Sequence, residues 1–206
     1  MLQNFIFHNE LETELEFLIK NAHKLDGVVC FYGLPGCGKT TFSRHFSNLV
    51  AKETIYLDAC SHIFDKTSAG NILKTIQDSR VTISAFLNED YNATAYWNKA
   101  IIIDEFHNLS ASRQDAFKIT LEQMSKEFNY LFILIVNTSK DKPLNKTLTP
   151  AILSRVQPVC FGIQKLHYEE VSQIIKQRYP ILSDEYIMET LPDLRQICKM
   201  AKLLSI

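Results

Sequence analysis

Apolar positions along this chain follow two rhythms. Short, nearly unbroken apolar runs fall at Val28 to Tyr32, Thr54 to Asp58, Lys99 to Asp104, Leu131 to Val136 and Val159 to Ile163. Between them lie stretches whose apolar residues recur every three or four positions: Leu11 to Lys24, Thr40 to Val50, Ser112 to Phe128, and a polar turn leading into a helix through Gly70 to Gln77. Unbroken runs are the mark of strands covered on both faces, and the three-to-four spacing is the mark of a helix with one buried side. Val81 to Trp97 fits neither rhythm. The alternation predicts an α/β fold up to about residue 163, a five-stranded parallel sheet flanked by helices. From Leu166 onward only helical patterns remain, Tyr168 to Tyr179, Asp184 to Thr190 and Pro192 to Leu204, punctuated by Pro180 and Pro192. The expected division is a core over residues 1–163 and a small helical unit over 164–206.

Composition adds few constraints. With 206 residues, 46% of them hydrophobic, the chain can bury one substantial core and a small appendage. No apolar run reaches the length of a membrane span, and the acidic, interrupted start MLQNFIFHNELETEL is not a signal peptide, so no membrane and a cytoplasmic location are expected. Five cysteines, Cys30, Cys37, Cys60, Cys160 and Cys198, are scattered without metal-ligand spacing and in odd number, which argues against a disulfide framework. A net charge of −1 means that any nucleic-acid contact comes from a local basic surface or a shared channel.

The densest chemistry is GLPGCGKTT, Gly33 to Thr41, between the first strand and a helix. It fits G-x-x-x-x-G-K-[ST], the phosphate-cradling P-loop, in the strand-then-helix setting that this motif requires. Gly33, Gly36 and Gly38 allow the loop to turn its N–H groups toward a phosphate at the start of a helix. Lys39 brings a mobile positive charge to the β- and γ-phosphates, and the Thr40 hydroxyl is suited to Mg²⁺. Pro35, Cys37 and Thr41 complete the expected nucleotide-binding loop. Cys37 is either an inert filler or, under the helix dipole, a thiol of lowered pKa.

The next motif, IIIDEFHNL, sets Asp104 and Glu105 at the carboxyl end of a strand, where ligands sit in open α/β sheets. Asp104 is then a second Mg²⁺ group and Glu105 the residue that polarises an attacking water, unless the pair is an ordinary strand-end turn. Asn137, at the tip of the fourth run, is either a partner of that water or of the γ-phosphate, or a turn former.

GLPGCGKTT, IIIDEFHNLSASRQDAFKITLEQM, ILIVN, PAILSRVQPVCFG and LPDLRQICKMAKLL together resemble, in order and spacing, the AAA+ ATPases of the sliding-clamp-loader type. The likeness is to the small subunits of replication factor C and especially to their bacteriophage counterparts, and it runs from about Phe5 to Leu204. It implies a P-loop AAA+ fold with a small helical lid, bound ATP and Mg²⁺, and catalytic roles for Glu105, Asn137 as sensor 1, Arg155 as an arginine finger reaching a neighbour's nucleotide, and Arg195 as sensor 2. It further implies other AAA+ subunits, a sliding clamp and primer-template DNA as partners, in a host cytoplasm if the source is viral. More weakly, Asp58 corresponds to a polar residue that restrains the catalytic glutamate, and Lys118 to a basic position that relays DNA contact. Lys66, Lys74 and Arg113 are either solvated charges or contacts to DNA phosphates.

Two departures stand out. The family's Ser-Arg-Cys is Ser154-Arg155-Val156 here, which leaves the arginine in place. Clamp loaders also continue into a helical collar, whereas this sequence ends at Ile206, so the expectation is assembly through ATPase interfaces and partner chains, or a shortened relative with another task. A helicase-loader-like or other AAA+ adaptor is the second reading. A small-molecule P-loop kinase is the third, and it leaves the motifs after residue 130 without a role.

Overall fold

The computed structural model describes residues 2, 4–60, 86–87 and 95–205. The helix expected through Gly70 to Gln77, Lys66, Lys74 and most of the ambiguous stretch before Trp97 lie outside these residues.

Five parallel strands form the sheet: β1 (Val28–Gly33), β2 (Ala51–Asp58), β4 (Trp97–Asp104), β5 (Tyr130–Asn137) and β6 (Gln157–Cys160). Their order is β2-β4-β5-β1-β6, and a two-residue strand β3 (Phe86–Leu87) adds an antiparallel edge beside β2 that the sequence pattern does not announce. Successive side chains point to opposite faces. Thus Val29, Phe31, Ile102, Ile133 and Ile135 join one apolar cluster, while Cys30, Ile101, Ile103, Phe132 and Leu134 join the other.

On the first face sit α1 (Asn9–Lys20) and α2 (Lys39–Val50). Phe31, Phe42, Phe46 and Phe161 meet there in edge-on, tilted and stacked pairs, and Phe7 packs against Phe42 and Phe161, so the N-terminal segment is held under α2 by aromatic contacts. On the second face sits α3 (Ala111–Phe128), which buries Gln114, Phe117, Thr120, Leu121 and Met124 at helical spacing. Two single-turn helices, α4 (Leu144–Thr147) and α5 (Pro150–Leu153), lead into β6. The last helices, α6 (Tyr168–Arg178), α7 (Asp184–Thr190) and α8 (Leu194–Leu204), gather a third cluster around Val171, Ile175, Ile187 and Ile197, to which Ile6 and Ile163 also belong.

Several boundaries differ from the sequence expectation. The first helix begins at Asn9, because His8 accepts the Leu11 N–H as an N-cap, and it ends at Lys20 before a separate 3₁₀ turn, Ala22–Lys24. β2 starts at Ala51, directly after α2, since Ala51 and Glu53 pair with Trp97 and Lys99. β6 spans Gln157–Cys160, not Val159 to Ile163; as an edge strand only Val159 of its four residues is buried, so its apolar signal is weak. The final helix opens at Leu194, where Asp193 Oδ1 accepts the N–H groups of Arg195 and Gln196.

Candidate nucleotide site

Parallel register assembles the site. Gly33 pairs with Asn137 and Asp58 with Asp104, so the loop after β1, the acids after β4 and the tip of β5 share the carboxyl edge of the sheet. Together they line a cavity of about 610 Å³, closed on its other sides by residues 4–7 and by Arg178, Tyr179, Arg195 and Lys199 of the C-terminal helices.

The loop has the backbone that its glycines foretell. Gly36 and Gly38 have φ of 82° and 90°, in the left-handed region, and α2 starts directly behind them at Lys39. Lys39 is only 4% exposed, and its Nζ donates to the Gly33 and Leu34 carbonyls at 3.1 and 2.7 Å. Thr40 Oγ1 donates to Asp104 Oδ2 at 2.9 Å, across 64 residues of chain. Thr41 is exposed at the start of α2 and also lines the cavity. Cys37 is buried, and its thiol donates to the Leu34 carbonyl; burial pushes its pKa up, against the pull of Lys39, so the lowered pKa expected from the helix dipole is not found. Desolvation outweighs the Lys39 charge and the backbone N–H groups of Cys37 and Lys39 at this position.

Glu105 is the most constrained residue of the site. Its φ of 55° is left-handed, a conformation that costs a side-chain-bearing residue on the order of 1 to 2 kcal/mol. Its N–H donates to Asp104 Oδ1, and its carboxylate accepts from the Asn137 side-chain amide at 3.0 and 3.2 Å. His107 closes the arrangement: Nδ1 accepts the Asn137 N–H at 3.2 Å, which leaves the proton on Nε2, 3.2 Å from Glu105 Oε2. Burial lowers the His107 pKa, while the Glu105 charge opposes that shift. Asn108 adds a longer contact to Glu105 and also reaches Cys60.

Asp58 does not restrain Glu105. Its carboxylate accepts the Cys60 N–H and closes its own turn, because the parallel register sets it beside Asp104 and the restraining role goes to Asn137 and His107. Tyr56, absent from every motif of the sequence, also belongs to the site: its hydroxyl donates to Asp104 Oδ2 at 2.7 Å and its ring lies under the Arg44 guanidinium. Burial and the Asp104 charge both raise the Tyr56 pKa, so the phenol stays a donor. A polar aromatic two residues before the end of an apolar strand is the one signal of it that the sequence carries.

Arg195 is exposed on α8 and lines the cavity. Asp193, which caps that helix, lies so close to the loop that a Cβ added at Gly36 would overlap its carboxylate. Arg178 donates to the Asn4 and Phe5 carbonyls and so fastens the N-terminal segment to α6. Arg155 is not brought to the cavity. It stands after α5, donating to Glu122 of α3 and to the Ala151 carbonyl. Lys118 is half-buried and Arg113 exposed on α3. Among the described residues, no helix is long and apolar enough to cross a membrane.

Known proteins share this fold. The chain is 23% identical over 208 residues to the Holliday junction branch migration complex subunit RuvB of Mycoplasmopsis synoviae, covering 99% of this chain and 55% of that protein. It is 25% identical over 174 residues to the ATPase WRNIP1 of Dictyostelium discoideum, covering 82% of this chain and 17% of that protein. Its fold resembles AMPPCP-bound DnaA from Aquifex aeolicus, with a TM-score of 0.61 at 18% identity over all of this chain and 65% of that one. It also resembles RuvB of Thermotoga maritima, with a TM-score of 0.56 at 15% identity over 89% of this chain and 55% of that one. The chain thus spans about half the length of the RuvB proteins that it matches. The profile of the ATPase family associated with various cellular activities (AAA) matches residues 29–161, a span that includes the loop, the acids and the tip of β5, and the chain belongs to that family.

Proposed function

We propose that this chain binds ATP in the 610 Å³ cavity, hydrolyses it with an arginine supplied by a neighbouring subunit, and uses the cycle as an oligomeric switch on DNA, as a replication clamp loader does when it sets a sliding clamp on primer-template DNA. The observation that carries the reading is the split arrangement of the site. Loop, acids and Arg195 share one cavity, whereas Arg155 sits apart from it, held by Glu122.

The roles follow from the chemistry of each group. Loop N–H groups and Lys39 receive the phosphates. The Thr40 hydroxyl and the Asp104 carboxylate, 2.9 Å apart, are hard oxygen donors fit to hold Mg²⁺, with Tyr56 fixing the carboxylate. When bound, that ion neutralises charge on the β- and γ-phosphate oxygens. Glu105 orients and polarises the attacking water, and Asn137 and His107 set its position. Arg195 senses the γ-phosphate in cis, and residues 164–206 act as a lid. Arg155, on release from Glu122, offers its planar, always-charged guanidinium to the neighbour's γ-phosphate.

The adaptor reading, without a clamp, draws support from the similarity to RuvB and DnaA, whose names refer to branch migration and replication initiation. Purified protein incubated with ATP and primed DNA tests both. DNA-stimulated ATPase together with capture of a sliding clamp supports the loader, and capture of a helicase without a clamp supports the adaptor. No ATPase under any of these conditions overturns the proposal.

A further inference from the structure

We propose that His8, Glu10 and His167 form a binding site for a divalent transition-metal ion of the zinc type, tying the start of α1 to the turn that opens the C-terminal helices. The two imidazole rings are stacked, with centroids 3.7 Å apart and planes 13° from parallel. One ligand atom from each of the three side chains lies within 4.8 Å of the others, and Glu10 Oε2 is 3.6 Å from His167 Nε2. Two imidazoles and one carboxylate are a familiar donor set for Zn²⁺, leaving a fourth position for water.

A second observation points the same way. His8 is 5% exposed, and its Nε2 is buried with no partner at good hydrogen-bonding geometry, the ring's looser backbone contact being with Gly162. Buried polar atoms are nearly always satisfied, so an orphan nitrogen beside a second imidazole and a carboxylate calls for a ligand. Glu10 is largely exposed at the outer end, so an ion can enter from solvent.

The proton balance is explicit. Each Nδ1 faces a backbone N–H, of Leu11 or of Gln164, at 3.4 Å. Coordination through Nε2 therefore moves each ring proton to Nδ1, where it faces a backbone N–H, and gives up two contacts already at the long limit of hydrogen bonding. Because the rings are nearly parallel and 3.7 Å apart, both must swing well out of the stack before one ion lies in both ring planes. Because His8 caps α1 and His167 ends the turn before α6, an ion here fixes the sheet-side helix to the helical unit that borders the nucleotide cavity.

The test uses the whole chain without nucleotide and in excess Mg²⁺, so it stands apart from the ATPase reading. Zn²⁺ is titrated by calorimetry, thermal unfolding is followed with and without the ion, and Co²⁺ reports the ligand set by its absorption. The expected result is one ion per chain and a raised melting temperature, with affinity at least about tenfold weaker in His167→Gln and in the exposed, fold-neutral Glu10→Gln. Binding that is unchanged in both variants, as when the exposed thiols of Cys60 and Cys160 take the ion, overturns the site. Absence of binding to the unaltered chain overturns it as well.

Discussion

Replacing Gly36 by Ala tests whether the helical unit is docked on the phosphate loop. Two effects separate cleanly here because Gly38 provides the control. Both glycines have left-handed φ, of 82° and 90°, so an alanine at either costs on the order of 1 to 2 kcal/mol from the backbone alone. A Cβ at Gly38 meets nothing within 4 Å, whereas one at Gly36 overlaps the Asp193 carboxylate. Asp193 must then swing away and abandon the Arg195 and Gln196 N–H groups, a cap worth about 1 kcal/mol. Gly36→Ala is therefore expected to cost about 2 to 3 kcal/mol and Gly38→Ala about 1 to 2 kcal/mol, measured by urea unfolding without nucleotide. The decisive comparison is a double-mutant cycle. Asp193→Ala should cost about 1 kcal/mol in the unaltered chain and close to nothing in the Gly36→Ala background, where the cap is already lost. Equal losses for Asp193→Ala in both backgrounds, with Gly36→Ala no worse than Gly38→Ala, would refute the docking argument.

Other expectations follow from the site and the core. Asn137→Ala frees the Glu105 carboxylate from both amide contacts and should lower ATP turnover by about a hundredfold while nucleotide affinity stays within about twofold, as read by steady-state kinetics and equilibrium binding. His8, His45 and His107 all have pKa values held below the ordinary 6.5 by burial, so the unfolded chain binds more protons than the folded one below that pH. Stability should therefore fall as the pH drops from about 6.5 toward the lowered folded values; a flat profile between pH 7.5 and 5.5 in urea unfolding would contradict it. Brief alkylation followed by mass spectrometry should label Cys60 and Cys160 and spare the buried, pKa-raised Cys37. Phe42→Ala, removing a fully buried ring that meets Phe7, Phe31, Phe46 and Phe161, should cost about 3 to 5 kcal/mol in thermal or urea unfolding.

The sheet is legible in the sequence because its strands are buried on both faces. Ile101 to Ile103 and Leu131 to Val136 carry apolar residues at every position, a pattern that surface helices and loops do not produce. The loop is legible because its glycine, lysine and threonine spacing is local. What the sequence conceals depends on pairs far apart in the chain. Asn137 and His107 meet at Glu105 only because β5 lies beside β4, and Tyr56 reaches Asp104 only because β2 lies on the other side. The family resemblance accordingly points to Asp58, a polar strand end, as the restraint on Glu105, and not to the histidine two residues on. Residues 4–7 and Arg178 enter no motif, since the Arg178 guanidinium holds that segment by its backbone carbonyls, which leave no signature in the sequence.

The central claim, a site completed between subunits, is tested by mixing two disabled variants. Arg155→Ala keeps its own loop and Glu105, and loses a half-exposed ion pair with Glu122, worth at most about 1 kcal/mol, and local hydrogen bonds to Ala151 and Ser154, so it should fold and bind ATP. Glu105→Gln keeps Arg155. Each variant alone should hydrolyse ATP at least about a thousandfold more slowly than the unaltered chain. In an equal mixture with primed DNA, about a quarter of the interfaces should pair an intact Glu105 with a neighbour's intact Arg155, restoring hydrolysis in proportion. Normal hydrolysis by Arg155→Ala alone, or a mixture as inactive as its two components, would contradict the account.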